Sequence, residues 1–334
     1  MWKETMEEID VIYDGYPAEG IHYRETSKLR KKAGRDKRTH FHRYTMTADT
    51  AFDFINFTKE PGYVERPEGN YLHGTAHHHT SSKDHGRWAG TKDYEAWMHL
   101  LFNGWQDGAK SASKLSDELA PFIYGTKQVD EQIYNYEGDA VDIDRYLEGD
   151  PECMLDYEES RATGAAKFVK VAVDMGVTAE IKAQALLWRG IIAAALVDLL
   201  ENNGYRCEVI GYCHTSNNDN WESLIVFPVK KEDQPVDLER LASLVGHAAS
   251  FRRGIFSAME KLPHEKFSEY HGYGYGRYAN SDPYDDLQAD LYIGRDCLCS
   301  SAQDAAERFR EKLGEIETFR DFLEEEGLVW RETM

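Results

Sequence analysis

One strand–helix–strand unit, residues 167–213, constrains the fold more than any other part of this chain. An apolar, β-branched run at 168–173 ends at Asp174, and a long apolar segment then leads to Gly204 and a second apolar run. Short β-branched runs indicate buried strands, and the longer segment between them has the length of a helix. In open α/β sheets, ligands bind where the parallel strands end. The sequence therefore predicts a binding edge beside Asp174.

The same alternation continues towards the C-terminus. Apolar runs of strand length recur with longer apolar segments between them, which predicts a doubly wound, mainly parallel, Rossmann-like sheet in an α/β domain at 161–334. A polar loop is expected at 214–220. The predicted strands are 167–173, 206–213, 222–229 and 289–294, and the predicted helices are 179–202, 237–262 with a break near 248–250, and 301–326.

Residues 1–160 lack this regular alternation. Apolar residues recur at helical spacing in 46–57, where the predicted stripe is Phe52, Ile55 and Phe57. They recur again in 88–119, among them Trp97, Leu101 and Trp105. We therefore expect a mainly helical, partly irregular N-terminal region that also carries a His-rich loop.

The charge of the chain argues against several classes of function. Asp and Glu number 60 against 39 Lys and Arg, which gives a formal net charge of −21. Such a field repels nucleic-acid phosphates and anionic lipids, so we expect no nucleic-acid partner and no membrane association. The five cysteines lack C-x-x-C spacing and the first ten residues are polar. A reducing cytoplasm is the expected location.

The order of elements over 165–326 resembles that of a von Willebrand factor A-type domain. That family carries Asp-x-Ser-x-Ser after its first strand, and Asp174, Gly176 and Thr178 occupy the three specified positions here. The resemblance implies a site for Mg²⁺ or another divalent cation at the top of the sheet. Gly176 lacks the hydroxyl of the first serine. A metal-free version of the fold is therefore the alternative, and the residues themselves require no cofactor.

Later loops complete this edge in the von Willebrand A family. By the same resemblance, polar residues of 214–220 and a carboxylate after the last predicted strand are expected to reach Asp174, with or without a cation. This edge is the predicted contact surface for a partner protein. Its expected members are Asp174, Gly176, Thr178, Thr215, Ser216, Asp219 and Asp296.

Three segments resemble parts of uncharacterised tailed-phage proteins. They are NGWQDGA at 103–109, DIDRYLEGDPECM at 142–154 and SFRRGIF at 250–256. This resemblance implies a phage or prophage protein that acts in the host cytoplasm or forms part of the virion.

A histidine cluster at 73–85 is the strongest candidate for metal chemistry. The spacing of His73 and His77 would bring two imidazoles together on a helix, whereas His77 and His79 would share a face on an extended segment. A catalytic metal needs about three protein ligands and an open position. The candidate ligands are His77, His79, Asp84 and His85. The alternative is a polar loop with a structural role.

Two adjacent arginines form the remaining candidate site. Arg252 and Arg253 follow the predicted helix break, and guanidinium groups bind phosphate or carboxylate anions through paired hydrogen bonds. The alternative is that one of them pairs with an acidic residue of this acidic chain.

The sequence favours a binding or scaffold function. Neither a G-x-x-x-x-G-K-[ST] loop nor a G-x-S-x-G elbow occurs, which argues against a P-loop nucleotidase and an α/β-hydrolase. The leading hypothesis is a protein-binding scaffold that uses the Asp174 edge. The alternatives are a metal-dependent hydrolase or nuclease that uses the 73–85 histidines, and a structural component of the virion.

Overall fold

The chain folds as a mixed α/β protein. The computed structural model describes residues 4–5, 11–12, 18–31, 38–59, 88–123, 132–136, 140–148, 150–157, 167–178, 180–202, 205–218, 220–261, 275, 277–279 and 283–315. The strands are β1 Glu4–Thr5, β2 Val11–Ile12, β3 Ile21–Lys31, β4 Arg38–Ala48, β5 Gln132–Asn135, β6 Ala140–Val141, β7 Met154–Tyr157, β8 Lys167–Asp174, β9 Tyr205–Asn218, β10 Trp221–Lys230, β11 Arg277–Tyr278 and β12 Leu291–Ile293.

Helices connect and cover these strands. The α-helices are α1 Ala51–Lys59, α2 Tyr94–Asn103, α3 Gln106–Ile123, α4 Ile143–Glu148, α5 Ala183–Asn202, α6 Leu238–Gly246, α7 Phe256–Met259, α8 Tyr284–Leu287 and α9 Ala302–Gly314. The predicted break in the helical stretch after β10 is confirmed, since α6 ends at Gly246 and the backbone of His247 is extended. A π-helix, Ser250–Ile255, then leads into α7, and a 3₁₀ turn covers Arg295–Cys297.

The main sheet is mixed rather than mainly parallel. Its central order is β1-β3-β4-β10-β9-β8-β12, with β2 beside β3 and β11 beside β9. The β8–β9, β8–β12 and β4–β10 pairs are parallel, whereas β9 and β10 are antiparallel. The strand–helix–strand unit β8-α5-β9 is confirmed, but the doubly wound, von Willebrand A-like arrangement is not.

The predicted polar loop at 214–220 is wrong for most of its length. β9 continues to Asn218 and β10 begins at Trp221, so the two strands form a hairpin. Hairpin connections this short force neighbouring strands to run antiparallel. His214, Thr215 and Ser216 are polar although they are buried within β9. The sequence there therefore lacks the apolar alternation that marks a strand.

The expectation of a mainly helical N-terminal region also needs correction. β3 and β4 form an eleven-residue antiparallel ladder, and β4 then pairs with β10. One sheet therefore contains residues from both sides of the predicted boundary at 160. The pattern was hidden because Glu25 is buried beside the inward-facing Tyr44 and Met46, which interrupts the apolar alternation that marks a strand.

Helix α5 forms the centre of the core. Residues 191–197 are all buried, and α5 packs against β8 and β9 as well as α3 and α6. By length and hydropathy α5 would be able to cross a membrane, but 67% of its apolar window is buried inside the protein. Most of its apolar surface therefore packs in the core of this domain.

Two glycines allow α5 and α6 to cross in close contact. A Cβ added to Gly190 of α5 would lie 1.8 Å from the Cα of Gly246, at the end of α6. No side chain fits in that space, so this crossing depends on glycine.

A buried ion pair ties the end of α5 to the sheet. Lys230 forms a salt bridge with Glu201 and donates a hydrogen bond of 2.9 Å to the carbonyl of Cys207. Glu201 in turn accepts from the Cys207 N–H at 3.1 Å. The Lys230 ammonium therefore has a structural role.

His247, which follows α6, gives the fold a predicted sensitivity to acid. Its Nδ1 accepts a hydrogen bond from the Ala249 N–H at 3.1 Å, and burial lowers the pKa of the imidazole from 6.5 to about 4. A depressed histidine pKa contributes stability above the unfolded pKa, and this stability is lost as the pH falls from about 6.5 towards 4. We expect the wild type to lose about 2 kcal/mol of unfolding free energy from this group between pH 7 and pH 5.

The matched variant is His247→Asn, whose Oδ1 accepts from the same N–H without titrating. Urea unfolding at both pH values should show a drop in stability for the wild type that is smaller in His247→Asn by about this amount. Equal drops in both proteins would show that His247 is not held in the neutral form.

Candidate functional site

The carboxyl end of β8 is covered by a later segment of the chain. β8 ends at Asp174, which pairs with Tyr212, but β9 runs on for six residues beyond this point. β11 pairs with this extension of β9, placing Tyr278 opposite Thr215. The Tyr278 hydroxyl donates a hydrogen bond to Asp174 Oδ2. The predicted binding edge is therefore closed over Asp174.

Asp174 is fully buried and hydrogen-bonded on both carboxylate oxygens. Its Oδ1 accepts from the Gly176 N–H at 2.8 Å, while Oδ2 accepts from Tyr278. Burial raises the pKa of the Asp174 carboxyl, and the nearby Arg189 guanidinium and these hydrogen bonds offset only part of the increase. Protein donors occupy both oxygens that a cation would use, which fits a structural role.

Arg189 of α5 is the buried cation of this edge. Its Nη1 donates to the Gly176 carbonyl at 3.1 Å, so one loop residue is bonded to both Asp174 and Arg189. Nε and Nη2 of Arg189 have no hydrogen-bond partner within the described part of the chain. The guanidinium therefore relies on the Asp174 carboxyl for much of its electrostatic compensation.

Gly176 lies in a tightly packed space. A Cβ at this position would lie 3.2 Å from Asp174 Oδ1 and 3.3 Å from Cys213 Sγ. Gly176 stands where the loop folds tightly over a buried carboxylate. Burial also raises the pKa of the Cys213 thiol, which leaves it protonated and unsuited to act as a nucleophile.

A second polar network lies on the opposite face of the sheet from α5. Glu222 Oε2 lies 2.9 Å from His214 Nε2 and 3.0 Å from Arg43 Nη2. Arg43 also forms a salt bridge with Asp286 of α8. These contacts join β4, β9, β10 and α8 through charge pairs that are buried at Glu222 and partly exposed at Asp286, so the network fastens the N-terminal strands to the hairpin.

The other expected members of the edge do not converge on a common ligand position. Thr215 and Ser216 are buried within β9, while Thr178 is exposed. Asp296 forms a salt bridge of 2.8 Å with Lys312 of α9. Asp219 lies outside the described residues. Across the residues that the structure describes, no group of three or more His, Cys, Asp or Glu side chains is placed to hold a metal ion.

The histidine cluster lies outside the described residues. The structure gives no geometry for His73, His77, His79, Asp84 or His85. The hydrolase or nuclease hypothesis therefore stays a prediction from the sequence.

The two adjacent arginines bind backbone carbonyl groups. Arg252 donates to the carbonyls of Trp88 and Ile181 and stacks on the Trp88 ring. Arg253 donates to the carbonyls of Thr91 and Lys92 at 3.1 Å each. Both side chains are buried. Instead of presenting an anion site, they fasten the segment before α2 to the π-helix.

An apolar groove lies towards the end of the sheet at which β8 and β9 begin. It has a volume of about 800 Å³, with walls from α1, α2, α6 and the β10–α6 connection. Phe52 and Phe102 stand on its rim and are 61% and 57% exposed. The other apolar lining residues are Ala51, Ile55, Leu101, Pro228, Val229, Pro235, Leu241 and Leu244.

The position of Phe52 follows from helix geometry. α1 also carries Phe54 and Phe57, which are buried, and Phe54 stacks on Phe227 of β10 at a centroid distance of 4.0 Å. Successive helix residues are rotated by about 100°, so Phe52 and Phe54 point in nearly opposite directions. When Phe54 faces the core, Phe52 must face the solvent. The predicted apolar stripe of this helix included Phe52, and the structure corrects that assignment.

Comparison with models of protein families shows the family of this chain. A family model described as a domain of unknown function, DUF7192, matches residues 53–328, which is most of the sequence. The chain belongs to the DUF7192 family. No match was found among curated proteins or among solved structures.

The DUF7192 match begins within α1, so β3 and β4 precede it even though β4 pairs with β10 inside it. Several site residues of this DUF7192 chain were missed from sequence, among them Arg43, Glu222, Tyr278 and Phe102. Arg43 and Glu222 would have been found by recognising β4 as a strand of the main sheet. Tyr278 had no comparable signal, because its partner Asp174 is 104 positions away.

Proposed function

We propose that this chain is a non-enzymatic binding or scaffold protein that holds an apolar segment of a partner protein in the groove beside Phe52 and Phe102. The exposure of these two rings on one concave apolar surface carries the proposal. Exposed apolar side chains gathered on one concave surface often mark an interaction site, and aromatic residues often provide much of the binding energy in protein complexes.

The chemistry of the groove favours a protein segment as its occupant. The groove floor is aliphatic and its rim carries Lys231, Asp237 and Arg240, which is the apolar centre and polar rim typical of protein interfaces. Arg240 forms a salt bridge with Asp237, so the rim is polar with little net charge. The apolar floor therefore decides what fits, and an apolar protein segment suits it.

The groove replaces the Asp174 edge as the proposed contact. Asp174, Gly176, Thr215 and Ser216 are buried and engaged with their own chain, which leaves little of that edge for a partner. The resemblance to tailed-phage proteins supports a proposed location in the host cytoplasm. A structural role in the virion is the alternative, and mass spectrometry of purified particles distinguishes the two locations.

The test is the double variant Phe52→Ala with Phe102→Ala. Proteins retained by the tagged wild type in the cells that encode it are quantified against the double variant, and the affinity of a retained partner is then measured by calorimetry. We expect at least about a tenfold loss of affinity, because exposed aromatic contacts are each worth roughly 1–2 kcal/mol. Stability should change by less than about 1 kcal/mol, since both rings are exposed.

The matched control is Phe168→Ala, which removes a ring that is also mostly exposed but lies on β8, outside the groove. It should leave partner affinity unchanged. Unchanged affinity in the double variant would contradict the proposal, as would a small organic molecule found in the groove by native mass spectrometry.

A further inference from the structure

A small acidic unit forms a three-stranded sheet of its own, and we call it the acidic module. It comprises β5, β6, α4 and β7, within residues 132–157. β7 pairs antiparallel with β5 on one side and with β6 on the other. A sheet of three strands is near the lower limit for an independently stable unit. The contacts of α4 with this sheet determine which side chains the module exposes.

Local hydrogen bonds hold α4 against its sheet. Asp142 caps the helix by accepting from the Arg145 N–H at 3.2 Å, and its own N–H donates to the Cys153 carbonyl at 2.8 Å. Arg145 then lies 3.5 Å from the Asp150 carboxylate and donates to the Glu152 carbonyl at 3.4 Å. The helix is therefore held at its first residues and on the side of Arg145, so its opposite side faces away from the sheet.

The outward side of α4 is apolar. Ile143, Tyr146 and Leu147 stand at i, i+3 and i+4, which places them on one helical face, and Ile143 and Leu147 are 69% and 75% exposed. Val141 of β6 and Tyr136 after β5 are exposed as well. The module thus presents a helix face of the kind that proteins normally bury.

The charge of the module limits what can cover this face. Residues 132–157 contain eight carboxylates and one basic residue, Arg145. This net charge of −7 is one third of the whole chain's −21 in fewer than a tenth of its residues. Nucleic acid and anionic membranes are repelled by such a field, whereas a basic protein surface is steered towards it.

We propose that the acidic module is a docking site for a basic amphipathic protein segment, whose apolar face packs on Ile143, Tyr146 and Leu147. Lysine and arginine side chains flanking that face would meet the surrounding carboxylates. This site shares no residue with the groove and is far more acidic, so the chain would join two partners of different chemistry.

The experiment uses the full chain and three synthetic helical peptides of equal length. They share the same leucine positions and carry Lys, Gln or Glu at every polar position. Calorimetry at low salt should show that the Lys peptide binds at least about tenfold more tightly than the Gln peptide and that the Glu peptide does not bind. Raising the salt concentration should weaken the binding of the Lys peptide more than that of the Gln peptide. Hydrogen exchange should show protection of 141–147.

Two variants separate a specific site from general attraction between charges. Ile143→Ser with Leu147→Ser should weaken the Lys peptide at least about tenfold while leaving the melting temperature close to that of the wild type, because both side chains are exposed. The Phe52→Ala and Phe102→Ala double variant should leave Lys-peptide binding unchanged, since the groove is a different site.

Several results would contradict a docking site for a basic segment on the acidic module. Equal affinity for the Lys and Gln peptides, full affinity in the Ile143/Leu147 variant, or protection at the groove instead of 141–147 would each overturn it. Binding of anionic vesicles or RNA through Ile143 and Leu147 would overturn it as well.

Discussion

Gly190→Ala is expected to destabilise the protein by about 3 kcal/mol or more. The added Cβ would lie 1.8 Å from the Cα of Gly246 and 2.4 Å from its nitrogen. Both atoms belong to the backbone, so no side-chain rotation relieves the overlap and α5 must move away from α6. Because α5 is the centre of the core, that movement opens voids along both helices.

Urea unfolding with a constant m-value measures this effect, and Gly314→Ala is its matched control. Gly314 ends α9, and a Cβ there meets no atom within 4 Å. This substitution should leave stability unchanged or raise it by up to about 1 kcal/mol, because alanine favours helix. A Gly190→Ala protein as stable as the wild type would show that α5 and α6 do not cross in contact.

Arg189→Met should cost about 3–5 kcal/mol at neutral pH, because it leaves the buried Asp174 carboxyl without its cation. The raised pKa of Asp174 sets the direction of the pH dependence. A carboxyl whose folded pKa is raised contributes stability at low pH that is lost as the pH rises through the folded pKa. Removing Arg189 raises this pKa further, so Arg189→Met should be less destabilised at pH 5 than at pH 8.

Asp174→Asn completes a double-mutant cycle. The amide oxygen still accepts from the Gly176 N–H, and the double variant carries neither buried charge. We expect a coupling energy of about 1–3 kcal/mol between the two positions. Mg²⁺ should leave the melting temperature of the wild type unchanged. A Mg²⁺-dependent increase that is lost in Asp174→Asn would identify the edge as a cation site.

The strand–helix–strand unit and the helices after it could be predicted because each has a strong local pattern. β8 and α5 lie close to their expected positions and β9 begins where expected, but β9 ends at Asn218, five residues later than predicted. The break after α6 appears at His247, whose backbone is extended. The arrangement of strands could not be predicted, since it depends on β3 and β4, whose inward positions include the charged Glu25. Pairing between β4 and β10 links residues about 180 positions apart, which no short window detects.

The candidate edge shows the same division between local and long-range information. The position of Asp174 at the end of a strand follows from the local sequence pattern. The contact between Gly176 and Asp174 is also local, since the two residues are two positions apart. Whether that position is open or closed depends on Tyr278 and Arg189, which come from other elements. The exposed rings had a weaker signal, because Phe52 differs from Phe54 only in the face of α1 that each residue occupies.

Site-specific photocrosslinking in the cells that encode the protein tests the central claim most directly. A photoreactive amino acid is placed in turn at Phe102 in the groove, Leu147 on the acidic module, Thr178 on the Asp174 edge and Phe168 as a control. All four side chains are exposed. A scaffold that binds through its apolar surfaces should crosslink specific proteins from positions 102 and 147, with the position-147 partner basic, and none from 178 or 168. Specific partners captured at 178 and absent at 102 and 147 would contradict the account.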